Sequence, residues 1–235
     1  MRKFGWVGRI AAACMALMPM VAVAGEATQS RVYTFQVELD ASGALVSATA
    51  LRDAQDVTVR TLQEDLRNWV FQPAQQDGRA VPTTTWVRVA AIPSTDGTAP
   101  RVLSATAGPA PDTLRKPEFP AAAQRRGHSG VVVLELQTDA QGRVSAVSVR
   151  DTVGSINRAM AEAAVAAARD WTFRPERVAG VPLAGKLLMP VCFVAASDLE
   201  GCEWMGPESR AYGRDTVLAL EPAARLAHPV AFSGP

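Results

Sequence analysis

Histidine is almost absent: His128 and His228 are the only two in 235 residues, far apart and with no carboxylate or cysteine at metal or triad spacing. No G-x-S-x-G, H-E-x-x-H or phosphate-cradling glycine loop occurs, so the usual machinery of hydrolysis, metal catalysis and nucleotide binding is missing. The chain reads as a non-enzyme with no catalytic residue, no metal and no cofactor, and His128 as a solvated loop histidine. An excess of charge of one sign is lacking too. The 24 basic and 23 acidic residues form no basic stripe for nucleic acid and no polybasic membrane patch. Aromatics are only 6%, and Trp69 and Trp171 each end a helical face, which makes them core residues rather than stacking platforms for a small molecule. Long hydrophobic runs are scarce as well: Ile10 to Ala24 falls short of the ~20 apolar residues of a spanning helix, with Pro19 inside it.

That short run has another use. Arg2, Lys3 and Arg9 supply a positive n-region, Ile10 to about Val21 an apolar h-region, and Ala22-Val-Ala24 an A-x-A site ahead of Gly25, so residues 1–24 read as a signal peptide. Cleavage after Ala24 gives a periplasmic protein; a retained inner-membrane anchor is the alternative. Of three cysteines, Cys14 lies in this segment. Cys192 and Cys202 remain as an even pair in an exported chain, read as a disulfide worth about 2 to 3 kcal/mol, with a metal or redox pair as the alternative.

Residues 116–196 carry the densest pattern. Phe119 staples the start of a helix that Pro120 opens, Ala121 to Arg126 continue and Gly127 ends. Val131 to Thr138 read as a strand, Asp139-Ala-Gln-Gly142 as a hairpin loop with glycine at the left-handed position, and Arg143 to Arg150 as the returning strand. In the helix Arg158 to Asp170, Met160, Ala163, Ala164, Ala167 and Trp171 share one face, while Glu162 and Asp170 point to solvent. Trp171-Thr-Phe-Arg-Pro175 and a strand from Lys186 to Ala195 close the unit.

Residues 31–93 repeat this in reduced form. Tyr33, Phe35, Val37 and Leu39 alternate with polar residues, Asp40-Ala-Ser-Gly43 parallels Asp139 to Gly142, and Trp69-Val-Phe-Gln-Pro73 matches Trp171 to Pro175. Leu62, Leu66 and Trp69 mark a helical face with Thr58 as its N-cap, and Thr83 to Ala91 a closing strand. Lacking the Phe-Pro helix, this copy buries little surface and is expected to pack on its neighbour. Residues 94–115, rich in Pro, Ser, Thr and Gly, read as a linker. Residues 197–235 read as a tail, pinned by Cys202, with Trp204 covering the sheet and only Thr216 to Leu220 and Pro222 to Ala227 hinting at short elements.

The order of Phe-Pro helix, hairpin, helix ending in Trp-x-Phe-x-Pro and strand resembles the C-terminal domain of TonB-type energy transducers of Gram-negative envelopes. The resemblance implies an α+β chain of two such modules, the first degenerate, each a small antiparallel sheet packed with one or two helices. It also implies a binding mode. The family captures a short extended receptor segment as an added strand, at positions that correspond to Lys116, Pro117 and Phe119 and to Lys186, Leu187, Leu188, Met189, Val191 and Phe193. Lys116 stands where the family has Gln and Phe119 where it has Tyr, and Pro190 cannot donate a ladder hydrogen bond. The long Pro-rich span of the family is absent: Pro93 to Arg115 would reach only about 75 Å fully extended. The expected partner is an outer-membrane receptor or another envelope protein in TonB-dependent transport, with a homodimer possible. A structural role with paired repeats, or an anchored transducer, are the competing readings.

Overall fold

The computed structural model describes residues 30–93, 98–194 and 217–227. Alternation puts Phe35, Val37 and Leu39 of β1 (Arg31–Leu39) on a buried face. The chain then reverses at Asp40, whose carboxylate accepts from the backbone N–H of Ser42 at 2.8 Å and of Ala44 at 3.0 Å. β2 (Leu45–Ala50) returns antiparallel, and α1 (Val57–Asp65) follows. The N-cap is Asp56, which accepts from Thr58 N–H at 2.7 Å, and not Thr58, which lies buried inside the first turn. After a 3-10 turn come β3 (Phe71–Gln72), the small hairpin of β4 (Gln75–Gln76) and β5 (Arg79–Ala80), and the long β6 (Thr83–Ile92), which pairs with β1 along its whole length.

The linker expected over 94–115 is corrected by the structure. β7 (Arg101–Ala107) pairs with β6, and β8 (Ala110–Thr113) pairs with β11 (Thr172–Arg174) far along the chain. The punctuating residues bound these strands more than they fill them: Pro100 precedes β7 and Gly108-Pro109 separates it from β8, leaving Arg-Val-Leu-Ser-Ala-Thr-Ala free of both residue types.

In the second half, α2 (Ala121–Arg125) ends at Gly127, where φ is +68° and His128 N–H returns to the Ala123 carbonyl. β9 (Gly130–Thr138) and β10 (Val144–Gly154) form the hairpin, and Asn157 caps α3 (Arg158–Ala168) by accepting from Met160 N–H at 3.1 Å. β11 leads into the hairpin of β12 (Arg177–Val178) and β13 (Val181–Pro182), then β14 (Gly185–Phe193). The described part of the tail supplies β15 (Leu218–Ala219) and β16 (Arg225–Leu226). The whole is α+β, mostly antiparallel sheet with few helices, in two main sheets ordered β13-β12-β6-β1-β2, with β7 also on β6, and β10-β9-β14-β15.

The two halves share a close approach that explains their loop glycines. A Cβ on Gly43 would run into the Phe71 carbonyl oxygen, and one on Gly142 into that of Phe173, with Pro73 or Pro175 beside it. Both glycines have positive φ, +85° and +79°, so backbone conformation and space each demand glycine there.

The halves are knitted by exchanged strands. β12 extends the first sheet by pairing with Thr83 and Thr84 of β6, β8 adds to β11, and β16 adds to β3. Strand β6 is consequently buried on both faces. Val87 and Val89 face the core with Phe35 and Leu62, while Trp86 and Arg88 meet the second half and its tail. Trp86 donates its indole N–H to the Pro175 carbonyl at 3.2 Å, and the Arg174 guanidinium lies 5.6 Å from its ring. Arg88, 2% exposed, donates to the Pro109 carbonyl at 2.6 Å and to the Val217 carbonyl at 3.0 Å. Glu176, 4% exposed, accepts from the Thr85 hydroxyl at 2.6 Å and from Ala223 N–H at 2.9 Å. Burial pushes the Glu176 carboxyl above its ordinary range, against the pull of those hydrogen bonds and of Arg88's charge.

Because the Glu176 pKa is raised in the fold, its contribution to stability is complete below the unfolded-chain value and lost as pH rises through the folded value. Urea melts of the Glu176→Gln chain are therefore expected to lack the part of the pH dependence that wild type shows just above the ordinary carboxylate range; identical pH profiles would contradict this. Asp40 and Asp139, held low by turn hydrogen bonds, act in the opposite sense at lower pH and cancel in the comparison. Glu176→Ala, which strands Ala223 N–H and the Thr85 hydroxyl, is expected to cost about 2 to 4 kcal/mol in the same melts. Gly142→Ala is expected to cost at least about 2 kcal/mol by thermal denaturation, from unfavourable φ and collision together.

Candidate functional site

The stretch from Lys186 to Phe193 is β14, bounded by β9 on one side and by the tail strand β15 on the other. The tail strand covers the first part of this edge. Leu187 pairs with Ala219, Leu188 with Leu218, and Leu220 N–H donates to the Lys186 carbonyl at 2.9 Å. Among the described residues the ladder to β15 extends over Leu187 and Leu188 only.

Main-chain direction follows from that one bond. In an antiparallel ladder the N–H and C=O of a residue point to the same side and alternate along the strand, so Lys186, Leu188 and Pro190 face outward from β9. Pro190 therefore costs β9 no ladder bond, the position at which proline is tolerated in a sheet. Leu187, Met189, Val191 and Phe193 turn their backbones to β9.

The side chains of the expected binding residues are mostly committed to the fold. Leu187, Met189, Val191 and Phe193 are buried in the core beneath α3, with Met160, Ala164 and Trp171. Leu188 packs on the opposite face with Val131 and Val133, against Leu218 and Leu220. What β14 can offer a partner is its backbone, flanked by Lys186, which is exposed and lies 3.7 Å from Glu221 of the tail. Of the residues ahead of α2, Lys116 is exposed, Pro117 half-buried, and Phe119 packs edge-on to Phe193 with ring centroids 5.3 Å apart. The two stretches singled out by sequence thus meet at the far end of β14, held by a ring pair. Trp171 is buried and donates its indole N–H to the Arg115 carbonyl at 2.7 Å, and Trp69 is half-buried at the rim of the first core.

Other expectations fall elsewhere. The Cys192–Cys202 pairing, Trp204, His228 and the signal segment lie outside the described residues. His128 holds the Ser155 carbonyl at 2.8 Å through Nδ1, a structural contact between the turn after α2 and the end of β10. No group of three or more potential metal ligands occurs among the described residues, and no described helix is long and apolar enough to cross a membrane.

Three residues at the edge were not legible as site residues. Arg88 and Glu176 reach the tail through Val217 and Ala223, and Gly108 lies so close to β15 that a Cβ there would collide with that of Ala219. The signal for Arg88 was present: a single arginine within Thr-Thr-Thr-Trp-Val-Arg-Val-Ala-Ala must be exposed at a sheet face or fully partnered, and it is partnered.

Residues 115–195 match the family described as Gram-negative bacterial TonB protein C-terminal, a non-enzymatic family. The chain is 41% identical over 80 residues to "Protein TonB" of Xanthomonas campestris pv. campestris, a match that covers 34% of this chain and 35% of that one. It is 32% identical over 78 residues to "Protein TonB" of Vibrio cholerae serotype O1, covering 33% and 31%. The match spans about a third of these relatives' length. The region from the Phe-Pro helix through β14 is thus homologous to the C-terminal part of TonB proteins.

Proposed function

We propose that this is a periplasmic TonB-like protein that takes up an extended segment of an outer-membrane receptor by strand addition at β14, in TonB-dependent transport. Two facts support the reading. The matched region contains the whole of β14, and the outer side of that strand already accepts a strand, β15, whose Leu220 N–H bonds the Lys186 carbonyl. The second fact carries it, because a strand edge that binds one extended chain through its backbone can bind another of similar shape. Lys116, Pro117 and Phe119 are proposed to frame the far end, the last through its contact with Phe193.

The first half is proposed to be a degenerate copy of the same module. Its strand-loop-strand-helix-strand order and its Gly43 contact with Phe71 parallel those of the second half. A second functional reading, an envelope assembly protein with paired repeats, is favoured by the three strand exchanges that join the halves.

A photo-crosslinking residue in place of Lys186, beside the edge, is expected to join the protein to an outer-membrane transport receptor in intact cells. The same probe in place of Glu64, exposed on α1, is not. Receptor adducts from both positions, or from Glu64 alone, would sink strand addition in favour of the assembly reading. N-terminal sequencing of the mature protein is expected to begin at Gly25; a retained Met1 would restore the anchored transducer.

A further inference from the structure

The tail segment on β14 has a side-chain pattern and partners of its own. Val217 and Ala219 are buried in the second core, while Leu218 and Leu220 lie on the other face against Val131, Val133 and Leu188. Two groups of the first half reach the segment. Arg88 donates to the Val217 carbonyl at 3.0 Å, and Gly108 lies so close that a Cβ on it would collide with the Ala219 methyl. The seat is therefore built from both halves: backbone from β14, a guanidinium and a hollow from the first half.

Among the described residues the ladder has two residue pairs against the six that join β6 and β7, and each net hydrogen bond contributes only about 1 kcal/mol. Further contacts hold the tail along the chain and belong to the junction: Glu176 holds Ala223 N–H, β16 pairs with β3, and Ala227 N–H donates to the Val70 carbonyl at 2.9 Å.

From this geometry we infer that residues 217–220 are an internal stand-in for the external segment. The edge selects an extended apolar stretch with a small side chain opposite Gly108 and a carbonyl on Arg88, and the external segment enters by exchange with the tail. The inference rests on the strand-addition reading above and adds the chemistry of the ligand. It also gives the first half a task, which is to complete the seat and to hold the tail in it.

The probe is a fluorescent synthetic peptide of residues 215–222, Asp-Thr-Val-Leu-Ala-Leu-Glu-Pro. It is titrated into the full chain carrying Leu220→Pro, which removes the bond to the Lys186 carbonyl from the tail and leaves the seat intact. Binding at least about tenfold tighter than to wild type is expected, with loss of binding when leucine replaces the alanine that corresponds to Ala219. Should Leu220→Pro fail to melt cooperatively, Ala227→Pro loosens the tail from its other end and the same titration applies. Equal binding of both peptides overturns the selection by Gly108 while leaving strand addition standing. No binding of either peptide to a folded variant overturns strand addition as well, and a dimer of the variant that ignores peptide assigns the seat to a second copy.

Discussion

A guanidinium cannot be buried without acceptors, and Arg88 is buried where three segments distant in sequence converge. Its donors reach the carbonyls of Gly108, Pro109 and Val217, so the turn between β7 and β8 and the start of the tail strand are placed by one side chain. Glu176 does the reciprocal work from the second half, holding Thr85 of β6 and Ala223 of the tail. Both residues sit on elements that each half would need anyway, a closing strand and the segment after Trp-x-Phe-x-Pro. Parting the halves or the tail is costly wherever either side chain would be left buried with its hydrogen-bond partners missing.

The sheet edges are managed in different ways, and the differences bear on function. β10 is interrupted twice in its register with β9, near Val144 and near Val149, and it carries Arg150 and Asp151. Bulges and charges of this kind discourage further pairing. On β2, the Gln63 side chain of α1 donates to the Ala48 carbonyl at 2.6 Å. β14 is handled by a strand of the chain itself, β15, and that contrast is what supports the proposed recognition at this edge.

Much of the second half was legible from residues alone. Period-two alternation, the Asp-x-x-Gly loop, the Phe-Pro helix start and the small-residue face of α3 are local signals, and each acts over a few residues through backbone preference or one-sided burial. The N-cap of α1 was misplaced by two positions, because Asp56 and Thr58 are both capping residue types and only the hydrogen bond distinguishes them. The strands within 94–115 were missed because β7 and β8 are stabilised by partners, β6 and β11, that composition does not reveal.

The sequence by itself determined that two apolar units exist, where each turns, and which side chains enter each core, because turn geometry and burial on one face depend on neighbours in the chain. Only the tertiary structure decided that β14 is covered at Leu187 and Leu188, that the halves exchange strands, and that Arg88 and Glu176 meet the tail. Those outcomes rest on main-chain hydrogen bonds and on partners for buried charges. Every residue but proline offers the same backbone donor and acceptor, so which edge meets which strand is chosen by three-dimensional placement.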